Sequence, residues 1–160
     1  MTSLARHLQT HWQQLRGMTY DLLDMLSEPD LIKKLPFAAS QDMQYQFFCM
    51  LGTQESWLPV LSSGVMETWD CSLTPASEGQ PLALAEVKAH FAAADRALFA
   101  QLAQLDLLHP VGDGHPPLHQ YMVLVEHEAH HQGQLINFIF ALDLPIPPSW
   151  ADKWALHRDE

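Results

Sequence analysis

The stretch Glu126-His127-Glu128-Ala129-His130-His131-Gln132-Gly133-Gln134 holds the densest set of ligating side chains in the chain. On an α-helix residues four apart stand one above the other, so His127 and His131 can direct two imidazoles at one divalent ion. Their face continues through Leu124, Leu135, Phe138 and Leu142, which reads as a core stripe. His130 falls on the face of Val123, Asn137 and Ala141 and reads as a bystander. Two imidazoles leave a site incomplete, because zinc takes at least three protein ligands. The plainer reading is a pair of buried histidines that satisfy each other by hydrogen bonds, since a chain with 10 His brings some to helical spacing by chance.

His127, Glu128 and His131 also match the pattern H-E-x-x-H, in which the Glu is the general base acting on bound water. The glycine and third histidine of the extended form are replaced by Gln134 and Asn137. An all-helical chain offers no edge strand for an extended peptide, so a metalloprotease is the weaker rival.

The elements that must position these residues are helical. Leu4, Leu8, Trp12, Leu15, Leu22 and Leu26 predict a first helix from Ser3, as N-cap, to Ser27, stopped by Glu28-Pro29-Asp30. A short segment, Leu31 to Pro36, leads to a second helix from Ser40 to about Leu61, marked by Met43, Phe47, Gln54, Trp57 and Leu58, with Pro59 near its end. Ser62 to Gln80 has no sustained period and reads as a long connection. Pro81 suits a helix start, and Val87, Phe91, Ala94, Leu98, Leu102 and Leu105 give the third helix its stripe. The breakers from His109 to Pro117 precede a fourth helix from about Leu118 to Leu142. Pro145-Ile146-Pro147-Pro148-Ser149-Trp150 reads as an extended tail. Four amphipathic helices argue for an all-α four-helix bundle, one domain over residues 1–160, with sites made between facing helices.

Composition limits the partners. Hydrophobic residues make 48% of the chain and charged residues 17%, the balance of a packed globular protein. A net charge of -11, with no basic cluster beyond Lys33-Lys34, repels a phosphate backbone, so nucleic acid is not an expected partner. The first residues lack the apolar stretch of a secretory signal, and the longest apolar run is broken by Asn137 and Asp143, which also excludes a membrane span. The reading is a soluble cytoplasmic protein. Cys49 and Cys71 are the only cysteines and are expected to be reduced.

With helix order and motif in hand, the chain resembles the DinB/YfiT-like superfamily of metal-dependent enzymes. The resemblance rests on His127-Glu128-Ala129-His130-His131-Gln132-Gly133-Gln134-Leu135, on Gly52-Thr53-Gln54-Glu55-Ser56-Trp57, and on Ile146-Pro147-Pro148-Ser149-Trp150, and spans nearly the whole chain. It implies an up-down-down-up bundle, often a homodimer, with nickel or zinc on three histidines. Two of these match His127 and His131. The third belongs to the second helix shortly before Glu-Ser-Trp, where this chain has Cys49 or Met50 and no His between Gln41 and Leu61.

Three readings of that place stand side by side. Cys49 can complete a Cys/His/His set with an open position, as zinc accepts. Met50 can occupy it as packing or as a soft thioether. Gln46 or Gln54 can offer a weak amide oxygen. Cys49 and Met50 are about 100° apart around the helix and cannot both face the histidines squarely.

By the same resemblance, the expected activity is a thiol-dependent transferase or a hydrolase acting on a small molecule, with the metal activating a low-molecular-weight thiol. Glu128 could serve as its base, or lie on the solvent face, which is the safer assignment. Trp57 and Glu55 read as structural. The competing function, from another class, is a non-catalytic dimeric bundle with a degenerate metal site, serving as a ligand-binding or stress-related protein.

Overall fold

The first apolar stripe winds as α1 (Ser3–Met25) in a computed structural model of the chain, which describes residues 2–74 and 79–158. Its cap lies one residue earlier than Ser3, since Thr2 Oγ1 accepts from the Ala5 amide at 3.1 Å. Glu28-Pro29-Asp30 ends α1 by starting a separate turn, α2 (Glu28–Leu31), with proline near the N-terminus and the Asp30 carboxylate accepting from Ser27 N at 2.8 Å.

The second long helix, α3 (Met43–Ser63), starts at Asp42 and not at Ser40, because Asp42 Oδ1 accepts from Tyr45 N at 3.1 Å. Pro59 is accommodated inside it, and Gly64 ends it in the left-handed region at φ 74°. A Cβ on Gly64 would also stand 2.5 Å from Asp113 N, so both conformation and space require glycine there. The remaining helices are α4 (Leu84–Gln104), α5 (Pro117–Ala141) and α6 (Pro148–Trp154).

The tail departs from expectation at α6. Residues 144–147 are non-helical, but Pro148 sits at a helix start, where its missing N–H costs nothing, and a short helix follows. The seven residues of α6, about two turns, carry Trp150 into the core, fully buried, with Nε1 donating to Met18 O at 2.6 Å. Burying an indole stabilises the fold by enough to dock the tail on α1.

Among the described residues there is no strand, only an isolated antiparallel bridge between Lys34 and Asp42. α1 packs against α4 and α5, and α3 packs against the same two helices. α1 and α3 are therefore diagonal, although they are successive long helices. The segment 26–42, which contains α2, covers the distance; residues 75–78, within the long connection read from the sequence, lie outside the described residues. No helix among the described residues is long and apolar enough to cross a membrane.

The core divides along the bundle axis. Leu22, Leu23, Phe47, Leu51, Phe91, Leu135, Phe138 and Trp150 belong to one apolar layer, and Trp12, Leu61, Leu98, Leu102, Tyr121 and Leu124 to the other. Between them each long helix contributes a buried polar side chain: Arg16 from α1, Gln54 from α3, Asp95 from α4, and Glu128 with Gln132 from α5. The candidate site opens beside this middle layer.

Candidate metal centre

His127 and His131 do share one face of α5, with ring centroids 4.5 Å apart and planes at 64°. That face meets α3, where Cys49 and Thr53, one turn apart, stand opposite. Cys49 Sγ lies 3.8 Å and Thr53 Oγ1 3.2 Å from His127 Nε2. The ligating atoms of Cys49, His127 and His131 all lie within 4.8 Å of one another.

The hydrogen bonds set the histidine tautomers in a useful sense. His131 Nδ1 donates to Gln46 Oε1 at 2.8 Å, and an amide oxygen can only accept. The proton is therefore on Nδ1, which leaves the Nε2 lone pair for an ion. His127 presents Nε2 to the thiol and hydroxyl of α3.

Burial keeps both imidazoles neutral. It pushes His131 down to about 4, with His127 and His130 adding repulsion. His127 is lowered by burial too, and then by His130 and Arg16. Neutral imidazole is the form that binds metal. Burial raises the Cys49 thiol, while the neighbouring Thr53 side chain acts the other way. A divalent ion would reverse that balance and take the sulfur as thiolate. The donor set, one thiolate and two imidazoles with a vacant fourth position, fits zinc and similar borderline ions.

A cavity of about 580 Å³ adjoins the three ligands, between α3, α5 and the segment 35–41. His130 lines it as well, its ring 5.3 Å from that of His131, although it is not among the three residues whose ligating atoms converge. From the other side the 64–74 connection packs onto α3. Trp69 covers Gly52, where a Cβ would meet the indole at 2.5 Å, and its Nε1 donates to Thr53 Oγ1 at 3.4 Å. Glu55 fixes that connection by accepting from Ser72 N at 2.7 Å and Ser72 Oγ at 2.6 Å. Trp57 Nε1 donates to Gln120 O at 3.2 Å, a structural bond across α3 and α5.

Other expected site residues go elsewhere. Met50 is 1% exposed and packs in the apolar layer, since the step of 100° from Cys49 turns it away from the histidines. Gln54 leaves the site for the middle layer. Glu128 lies neither on the solvent face nor at the cavity: it is 2% exposed, accepts from Thr19 Oγ1 at 2.7 Å and pairs with Arg16 at 3.1 Å. A carboxylate committed to that pair is not placed to act on water beside the histidines, which removes the H-E-x-x-H mechanism.

The middle layer was not anticipated. Arg16 Nη2 donates to Gln54 Oε1 at 2.7 Å, and its guanidinium lies 4.0 Å from the Phe91 ring centre. Asp95 accepts from Trp12 Nε1 at 2.7 Å, from Gln54 Nε2 at 3.0 Å and from Tyr20 OH at 3.2 Å. Gln132 Nε2 donates to Leu15 O at 2.9 Å. Its signal in the sequence was a polar residue on each apolar stripe at mid-helix: Arg16 four after Trp12, and Asp95 between Phe91 and Leu98.

No family model and no curated protein sequence matches the chain. Its fold, however, is similar to the crystal structure of a DinB-like protein, YjoA, from Bacillus subtilis, with a TM-score of 0.66 and 17% identity, over 87% of this chain and 96% of that one. The chain thus has a DinB-like all-α fold. Within that fold it carries a Cys/His/His group that could hold a metal ion.

Proposed function

We propose that this protein is a metal-dependent enzyme that uses a divalent ion on Cys49, His127 and His131 to activate a thiol or water toward a small electrophile. The observation that carries this reading is the convergence of one sulfur and two imidazole nitrogens within 4.8 Å, beside a cavity. A divalent ion there supplies Lewis acidity and lowers the pKa of a coordinated thiol or water.

The chain's own groups have separable tasks. Cys49, His127 and His131 bind the ion. Gln46 holds the His131 ring in the tautomer that presents Nε2. Thr53 steadies the Cys49 sulfur through its hydroxyl and is itself held by Trp69. His130, which lines the cavity without being one of the three ligands, is the imidazole placed to take the proton that an activated thiol or water releases. A homodimer belongs to the same reading, as does zinc or nickel as the resident ion.

Cobalt(II) substitution tests the centre directly. The full-length protein is expected to bind one cobalt with a thiolate-to-cobalt charge-transfer band that disappears in Cys49→Ser. Absence of the band, together with no divalent ion retained on purification, would leave the non-catalytic ligand-binding bundle as the better account.

A further inference from the structure

We infer that the cavity beside Cys49, His127 and His131 takes a small molecule that is uncharged apart from the one atom it offers to the metal, recognised through amide and hydroxyl groups. This inference rests on the proposed metal centre and specifies its substrate class.

Among the described residues the lining contains no Asp, Glu, Lys or Arg. Apart from the three ligands, its polar groups are His130, four amides and two hydroxyls. Gln134 and Asn137 follow His131 along α5 and step outward from the ion site. Gln41 and Tyr45 face them from the 35–41 segment and the start of α3. Leu35, Phe37 and Phe138 supply apolar wall between these polar groups. Apolar wall set between amide and hydroxyl groups fixes a ligand by hydrogen bonds and shape.

The amides differ in how committed they are. Gln46 is occupied by His131, and Ser40 Oγ already accepts from Leu35 N at 2.9 Å and donates to Gln41 O at 2.8 Å. Asn137 Nδ2 reaches Gly133 O only at 3.5 Å, the edge of a hydrogen bond, and can exchange that contact for a ligand carbonyl.

Charge counting sets the rest. A divalent ion with one thiolate and two neutral imidazoles leaves a single positive charge, which one anionic donor atom cancels. A second negative group on the ligand would find no lysine or arginine in the walls, inside a protein of net charge -11. A cationic arm would likewise find no carboxylate in the lining. Amide and hydroxyl arms find partners.

The test uses the cobalt-loaded full-length protein and three thiols of similar length: N-acetylcysteamine, which carries an amide, 3-mercaptopropionate, an anion, and cysteamine, a cation. Each loses its thiol proton on binding, through His130 to solvent, and the cobalt bands report occupancy. N-acetylcysteamine is expected to bind at least about tenfold more tightly than either charged thiol. Asn137→Lys and Gln41→Lys should each shift the ratio toward 3-mercaptopropionate by about tenfold while leaving the cobalt spectrum unchanged. Equal or tighter binding of a charged thiol by the parent overturns the inference, as does a ratio unmoved in both variants. Failure of the metal centre is visible earlier and separately, as absence of the Cys49-dependent band before any thiol is added, and it removes the inference as well.

Discussion

One turn of α5 serves two polar regions built on opposite plans. His127 and His131 turn toward α3 and a cavity, where the ligating atoms of three residues crowd together without an opposing charge. Glu128 and Gln132, their immediate neighbours in sequence, turn toward α1, where a guanidinium, two carboxylates, a second amide and an indole N–H are joined in a closed network. The closed region is the more committed: each carboxylate has at least two partners and the bonds tie all four long helices together, while Arg16 Nε and Nη1 and Gln132 Oε1 have no hydrogen-bond partner. The open region gathers lone pairs that nothing on the protein fully uses. Polar burial on one side specifies the packing of the bundle, and on the other it keeps a binding position available.

The largest expected effect lies in the closed region. Arg16→Met leaves Asp95 and Glu128 facing each other in the core without their cation, and should cost about 3 to 5 kcal/mol in chemical denaturation. A loss below about 1 kcal/mol would show that the network does not hold the helices together, and the contrast would collapse.

Changes in the open region should spare the fold and remove the ion. Cys49→Ser is expected to weaken zinc or cobalt affinity by about 100-fold, while metal-free stability changes by less than about 1 kcal/mol. Competition with a chromophoric chelator reads the affinity, and denaturation reads the stability. A variant equally tight for metal would reduce Cys49 to a packing residue. Gln46→Leu sharpens the distinction, because it touches no ligand position yet frees the His131 ring. Metal affinity should fall by about tenfold, and an unchanged affinity would mean that Gln46 does not set the tautomer.

The pH slopes of the metal-free protein compare the two regions in another way, because they oppose each other. Folded His131 titrates at about 4 against an ordinary 6.5, so within that window the unfolded chain takes a proton that the fold refuses. Stability therefore falls as pH drops from 6.5 toward 4, and lowered His127 adds to the slope. Glu128 is raised above 4.5 by burial, against the lowering effect of Arg16 and Thr19. Here the folded state holds the proton more tightly, so stability falls as pH rises from 4.5 through the folded value. His131→Gln should flatten the acid slope and Glu128→Gln the opposite one, measured as denaturation midpoints across the range. An acid slope surviving in His131→Gln would place its source elsewhere.

Much of this was legible in the residues. The stripes of α1, α3, α4 and α5 placed the four long helices, and His127 and His131 were read as one inward face because i and i+4 lie together on any α-helix. The resemblance carried by the histidine helix pointed to the DinB-like fold that the structural likeness to YjoA supports. The same periodicity could not say which helix each face would meet. Thus Glu128, on a different face from the histidines, was assigned to solvent and lies in the core, and His130 was set aside yet lines the cavity. Periodicity alone does not choose between Cys49 and Met50, because α3 can be rotated about its axis until its neighbours are known.

Only the packing of α3 against α5 turned Cys49 to the histidines and Met50 to the core, and only the diagonal placement of α1 and α3 brought Arg16, Gln54, Asp95 and Glu128 to one level. Helical geometry is local and follows from spacing along the chain. Which side chains converge from different helices depends on axial register and rotation, and these are fixed by burial summed over all the packed faces together.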